Sequence, residues 1–165
     1  MRTMLFAAAA LAVCGMAADA AAQSVTVNRT QISNDAARKI VDGCIAYAIA
    51  HKIQVGVAVV GIDGVLLDFH ATQGGGATTS ETAVLKAQTA AHWRRATKDL
   101  ENDVRTGNNA APVWIGDFPR EGGIPIMIDG QFAGAIGIGA GGQWNECAQA
   151  GFDAAIPKAQ QSAQR

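Results

Sequence analysis

The stretch REGGIPIMIDGQFAGAIGIGAGGQWNECAQAGF constrains the fold more tightly than any other part of the chain. Ile124, Ile126 and Ile128 alternate, Asp129-Gly130 follows, and Phe132, Ile136 and Ile138 then alternate with Ala133, Ala135 and Gly137. Period-two alternation on both sides of an Asp-Gly dipeptide is the pattern of a β-hairpin. Its Ala133, Ala135 and Gly137 face is very small, so a helix, another subunit or a flat ligand can approach that backbone closely. Gly137, Gly139 and Gly142 also have G-x-G-x-x-G spacing. A dinucleotide site needs a further helix, a second parallel strand and an acid about 20 residues on. The segment up to Pro157 has no room for that strand. What survives is a glycine-rich entry to a helix near Gln143, whose exposed N–H groups can hold an anion.

Upstream, a second hairpin is expected from QVGVAVVG and VLLDFH around Ile62-Asp63-Gly64, with Asp68 and His70 two apart and so on one face. A helix precedes it. Ser33 and Asn34 can cap, Ile40, Cys44 and Ala48 form a stripe beside Val41, Ile45 and Ile49, and the helix ends near His51 and Lys52, cations suited to its C-terminal dipole. After the loop GGGAT, the run Thr78-Thr79-Ser80-Glu81 has capping-box spacing and launches a helix through TAVLKAQTAAHWRR. On it Leu85, Thr89 and His92 share one side, and Lys86, Ala90 and Trp93 a neighbouring one. A shorter polar helix is expected at Thr97 to Arg105. Residues 106–123 read as a long loop with a short strand at VWIG, and such loops are usually functional or disordered.

The opening MRTMLFAAAALAVCGMAADAAAQS has a cationic Arg2, an apolar run from Met4 to about Ala18, and small Ala20 and Ala22 before Gln23. That is the layout of a secretory signal peptide, so residues 1–22 are expected to be removed and residues 23–165 to form a single domain in the periplasm or outside the cell. Stable membrane insertion is not expected, because Asp19 interrupts an apolar run that would need roughly 20 residues. Leu11-Ala12-Val13-Cys14 offers lipid anchoring at Cys14 as the alternative. With 13 Lys+Arg against 14 Asp+Glu, no basic surplus points to nucleic acid.

The run from SVTVNRT to LLDFH, then TSETAVLKAQTAAHWRRATKDL, then GGIPIMIDGQFAGAIGIGAGG resembles the GlcG/HbpS family of haem-degrading domains over nearly the whole mature chain. The resemblance implies a profilin-like α/β (α+β) fold, a mostly antiparallel five-stranded sheet with helices on both faces, often assembled into homo-oligomers. It implies a haem-binding protein. Lys86, Thr89 and Trp93 match recurrent positions of the family's central helix, and Gly122, Gly123 and Pro125 match its glycine-proline entry. His70 stands where members carry a polar residue, but Ala71-Thr72-Gln73-Gly74 replaces the family's following loop.

Two readings of function result. In the first, an exported protein binds haem or another tetrapyrrole: His70 and His92 are the iron-ligand candidates, and Lys86, Thr89, Gly122 and Gly123 contact the ligand. In the second, an enzyme acts on a small anionic metabolite, with Lys86 as electrostatic stabiliser and His70 as general base. The bland readings are His51 as an exposed helix-end cation, His92 as a packed and hydrogen-bonded residue, and the tryptophans as core or interface. Trp114 and Phe118 can complete a contact between copies. Packing the first and last helices together on one sheet face, as the resemblance implies, turns Cys44 and Cys147 toward each other. A disulfide between them and two buried free thiols both fit.

Overall fold

The structure is a computed structural model that describes residues 26–139 and 142–161. The predicted signal peptide and Cys14 lie outside the described residues, as do Ala140 and Gly141 in the glycine-rich loop. Helix α1 spans Asn34–Ala50, and the Ser33 hydroxyl accepts from the Ala36 N–H at its start. Strands β1 (Gly56–Val60) and β2 (Leu66–Ala71) follow, then α2 (Ala77–Trp93), α3 (Thr97–Thr106) and the short α4 (Ala111–Trp114). Strands β3 (Gly123–Ile128) and β4 (Gln131–Gly139) precede α5 (Trp144–Ala155) and a final 3₁₀ turn at Lys158–Gln160.

The strands form one antiparallel sheet in the order β2-β1-β4-β3. It has four strands among the described residues, not the five that the family resemblance implies. Pro125, which cannot donate to a ladder, sits on the edge strand β3, where that is tolerated. Helices α1 and α5 cover one face and α2 the other, so β1 is buried throughout: Val57 and Val59 point to α1, Ala58 and Val60 to α2. The disulfide is present. Cys44 and Cys147, both fully buried, are bridged with a Cα separation of 4.5 Å and tie α1 to α5. The helices come that close because Gly151 lies against the Ile40 carbonyl, 2.4 Å from where its Cβ would stand.

The first hairpin turns through Ile62-Asp63-Gly64 as expected, closing between Gly61 and Val65 with Gly64 at a φ of 78°. Three local readings need correction. Helix α2 starts at Ala77 behind Gly76, ahead of the expected capping box, because its first turn is already pressed onto the sheet at Gly56 and Gly139. The segment VWIG is not a strand: Pro112 opens α4 instead, the position where a fixed φ and a missing N–H favour a helix. Finally, the register of β3 and β4 shifts between Ile126 and Met127, so Phe132 leaves the Ile136 and Ile138 face and packs against the α2 side with Ala135. No helix among the described residues is long and apolar enough to cross a membrane.

Candidate functional site

His70 lies near the end of the edge strand β2, opposite Val57, and therefore on the α1 side of the sheet. There the last turn of α1, the segment between α1 and β1, and the end of β2 enclose a cleft of about 490 Å³. Ile45, Ile49 and Ile53 give it an apolar wall, Lys52 a cation, and His70, Thr72 and Gln73 the opposite rim. Ile49, at 66% exposure, is far more open than a residue of an amphipathic stripe usually is. The rim is fixed by Thr72, whose N–H donates to the Val55 carbonyl and whose hydroxyl accepts from the Val55 N–H. No side-chain partner among the described residues holds either nitrogen of His70. An unengaged imidazole beside an aliphatic wall and a single cation suits a flat apolar group that carries an acid and a ligatable metal.

The residues expected on the central helix have other engagements. The His92 ring meets Asp117 through Nδ1 at 2.8 Å, and Trp93 Nε1 donates to the other oxygen of the same carboxylate at 2.7 Å. Thr89 accepts from the Phe118 N–H at 2.8 Å. All three dock the loop before β3 onto α2, so Thr89 and His92 hold a loop in place. The reading of His92 as a hydrogen-bonded histidine is the one its geometry fits. Lys86 is buried, its Nζ donating to the Ile138 carbonyl at 3.0 Å beside the ring of Trp144. Burial chiefly, then the nearby Arg120, lowers its pKa from the ordinary 10.5, against the opposing pull of Glu101 and Glu121. Gly122 and Gly123 line a separate cleft of about 250 Å³ with Lys98, Asp99 and Glu121.

The structure thus does not bring the candidates into one site. Lys86 rises from the helix on the far face and does not line the cleft of His70, so the pair expected to work together on an anionic metabolite is split by the sheet. The strand alternation that puts His70 with Val57 is the reason. Among the described residues no cluster of three or more His, Cys, Asp or Glu side chains could hold a bare metal ion.

Residues 32–153 match the family model described as "Haem degrading protein HbpS-like". The chain belongs to the HbpS-like family. It is 45% identical to Protein GlcG of Escherichia coli K12 over 56 residues, a match covering 32% of this chain and 40% of that protein. Among solved structures, it resembles a double mutant of Streptomyces reticuli HbpS with a TM-score of 0.69 at 25% identity, over 88% of this chain and 95% of that one. A structure described as the PduOC:heme complex shares the fold with a TM-score of 0.71 at 22% identity, over 80% of this chain and all of that one.

Sequence reading missed Lys52, Ile53 and Gln54 as partners of His70, although Ile45 and Ile49 stood out as a stripe and Lys52 as a helix-end cation. The signal that was available is the continuation of the apolar stripe to Ile49 and Ile53 at the end of α1, beside the cation Lys52. Asp117 carried no such signal, since only the folded loop brings its carboxylate to α2.

Proposed function

We propose that this protein is an exported haem- or tetrapyrrole-binding protein and that the α1–β2 cleft takes the group. The observation that carries the reading is the unengaged imidazole of His70 facing Ile45, Ile49 and Ile53, with Lys52 at the rim. The donor set fits: an imidazole for the iron, aliphatic side chains for the macrocycle, and an ammonium for a propionate. Haem, when bound, supplies a redox-active iron. His70 orients it, the isoleucines exclude water from one side, and Lys52 anchors its acidic edge.

Export follows the layout of residues 1–22 and agrees with the buried disulfide, a bond that persists in oxidising compartments. A mature N-terminus at Gln23 in protein from its own cells is the expected finding, and an intact Met1 or a lipid on Cys14 would overturn it. Assembly into a homo-oligomer is supported by the exposed Trp114 and Ile115 at the tip of α4, and light scattering showing only monomer would remove it.

The haem reading is tested by titration. Haem added to the protein gives a saturable Soret band. His70→Ala abolishes or strongly shifts it, whereas His92→Ala leaves it unchanged because that ring is committed to Asp117. A His70→Ala protein that titrates like the parent would remove the cleft from consideration.

A further inference from the structure

We propose a second ligand site, on the opposite side of the molecule, for an oxyanion with two or more negative charges. It lies in a cleft of about 450 Å³ between the segment before α1, the C-terminal end of α2 and the β3–β4 turn, lined by Asn28, Arg29, Thr30, Arg94, Gln131 and Phe132 together with Ile62. Two arginines line it, and no Asp or Glu among the described residues does. Arg95, the next residue along the chain from Arg94, pairs instead with Asp103. Neither Arg29 nor Arg94 meets a carboxylate among the described residues.

The Arg94 side chain and the backbone beside Arg29 are both held in place. The shift of register in the β3–β4 hairpin swings Phe132 to the α2 side, where Arg94 lies over its ring at 5.4 Å. Arg94 ends α2 with a φ of 50°, a conformation that glycine usually occupies and that a side chain adopts only under constraint. The segment that carries Arg29 is tied to the β3–β4 hairpin. The Ile32 N–H donates to the Ala133 carbonyl at 2.8 Å, and the Thr30 hydroxyl donates to the Gln131 side-chain oxygen, which leaves the Gln131 NH₂ as a further donor. Two planar forks and amide donors around one opening match the several oxygens of a phosphate or a dicarboxylate.

The test follows backbone and arginine side-chain N–H resonances during titration of the purified protein with inorganic phosphate, and separately with succinate, at constant ionic strength set by chloride. Saturable shifts confined to this cleft are expected with at least one of the two, and which one decides the chemistry. Arg29→Gln and Arg94→Gly each weaken binding about tenfold or more. Arg94→Gly also keeps or raises the thermal midpoint, because glycine adopts that φ freely, so lost binding cannot be ascribed to lost folding. Shifts that never saturate, shifts that chloride alone reproduces, or an Arg94→Gly protein that binds like the parent would each overturn the site.

Discussion

The sheet's faces are covered by unlike means. On the α1 and α5 side the contact is made by side chains: Ile40, Val41, Val57, Val59, Ile126, Ile136, Ile138 and Phe152 interdigitate around the Cys44–Cys147 bridge. On the α2 side it is made largely by backbone. Ala83, Ala87, Ala90 and Ala91 lie on Ala58, Val60 and Ala135, and a Cβ added to Gly137 or Gly139 would stand 2.0 Å from the Ala83 carbonyl or 1.8 Å from that of Thr79. A layer of side chains can repack when a group is lost; two backbones in contact cannot separate by a fraction of an ångström without losing the layer. The proposed clefts follow from this contrast. The first opens on the bulky face at the sheet edge, beside the end of α1, and the second lies at the rim of the close-packed face, at the end of α2.

The largest expected effect comes from breaking the close face. Gly139→Val places branched carbon inside the first turn of α2 and should give no native soluble protein. Ile136→Val, the matching one-carbon change on the other face, should cost only about 1 kcal/mol. Chemical unfolding of both variants makes the comparison. A Gly139→Val protein with a near-native midpoint would show that α2 is not seated on the sheet backbone.

Removing the bridge ranks next, because it attacks the face that tolerates adjustment. Cys44→Ala with Cys147→Ala should lower stability by about 2–4 kcal/mol while keeping the fold, since the bridge closes a long loop of the unfolded chain. The same loss should appear in the parent protein under reductant and be absent when reductant is added to the double variant. Two thiols titrating in unfolded, unreduced protein from its own compartment would show that the bridge does not form there.

Much of this contrast was legible in the sequence. Period two in β3 and β4, the Asp-Gly turn and the Ala-Gly alternation announce a strand with one bulky and one bare face, and the stripe through Cys44 announces the helix that covers the bulky one. Phe132 was misplaced because a register shift leaves no mark in the alternation itself. The start of α2 was misplaced because a sound capping signal at Thr78 to Glu81 lost to packing of the preceding turn on Gly139. His70 was legible as a candidate, Ile49 as a stripe residue and Lys52 as a cation, but their meeting in one cleft was not, because only the fold sets the end of α1 beside the end of β2.

The smallest effect, and the sharpest test of the close face, concerns Lys86. Its charge is buried where α2 meets the end of β4, with the Ile138 carbonyl and the Trp144 ring in place of water. The folded protein therefore binds this proton less tightly than the unfolded chain, in which the pKa is near 10.5. Below the folded pKa both states are charged and the whole cost of burial is present. Between the folded pKa and 10.5 the unfolded chain holds the extra proton, so Lys86 makes stability rise with pH across that window; above it the cost is gone. Lys86→Met fills similar space without the charge and should remove that rise. The measurement is the unfolding midpoint of both proteins at a series of alkaline pH values: the parent should gain on the variant as pH increases toward 10.5. If the parent loses ground instead, the ammonium is stabilised where it lies, and the α2 face is wetter at its end than the packing of Gly122, Ile138 and Trp144 around the amine requires.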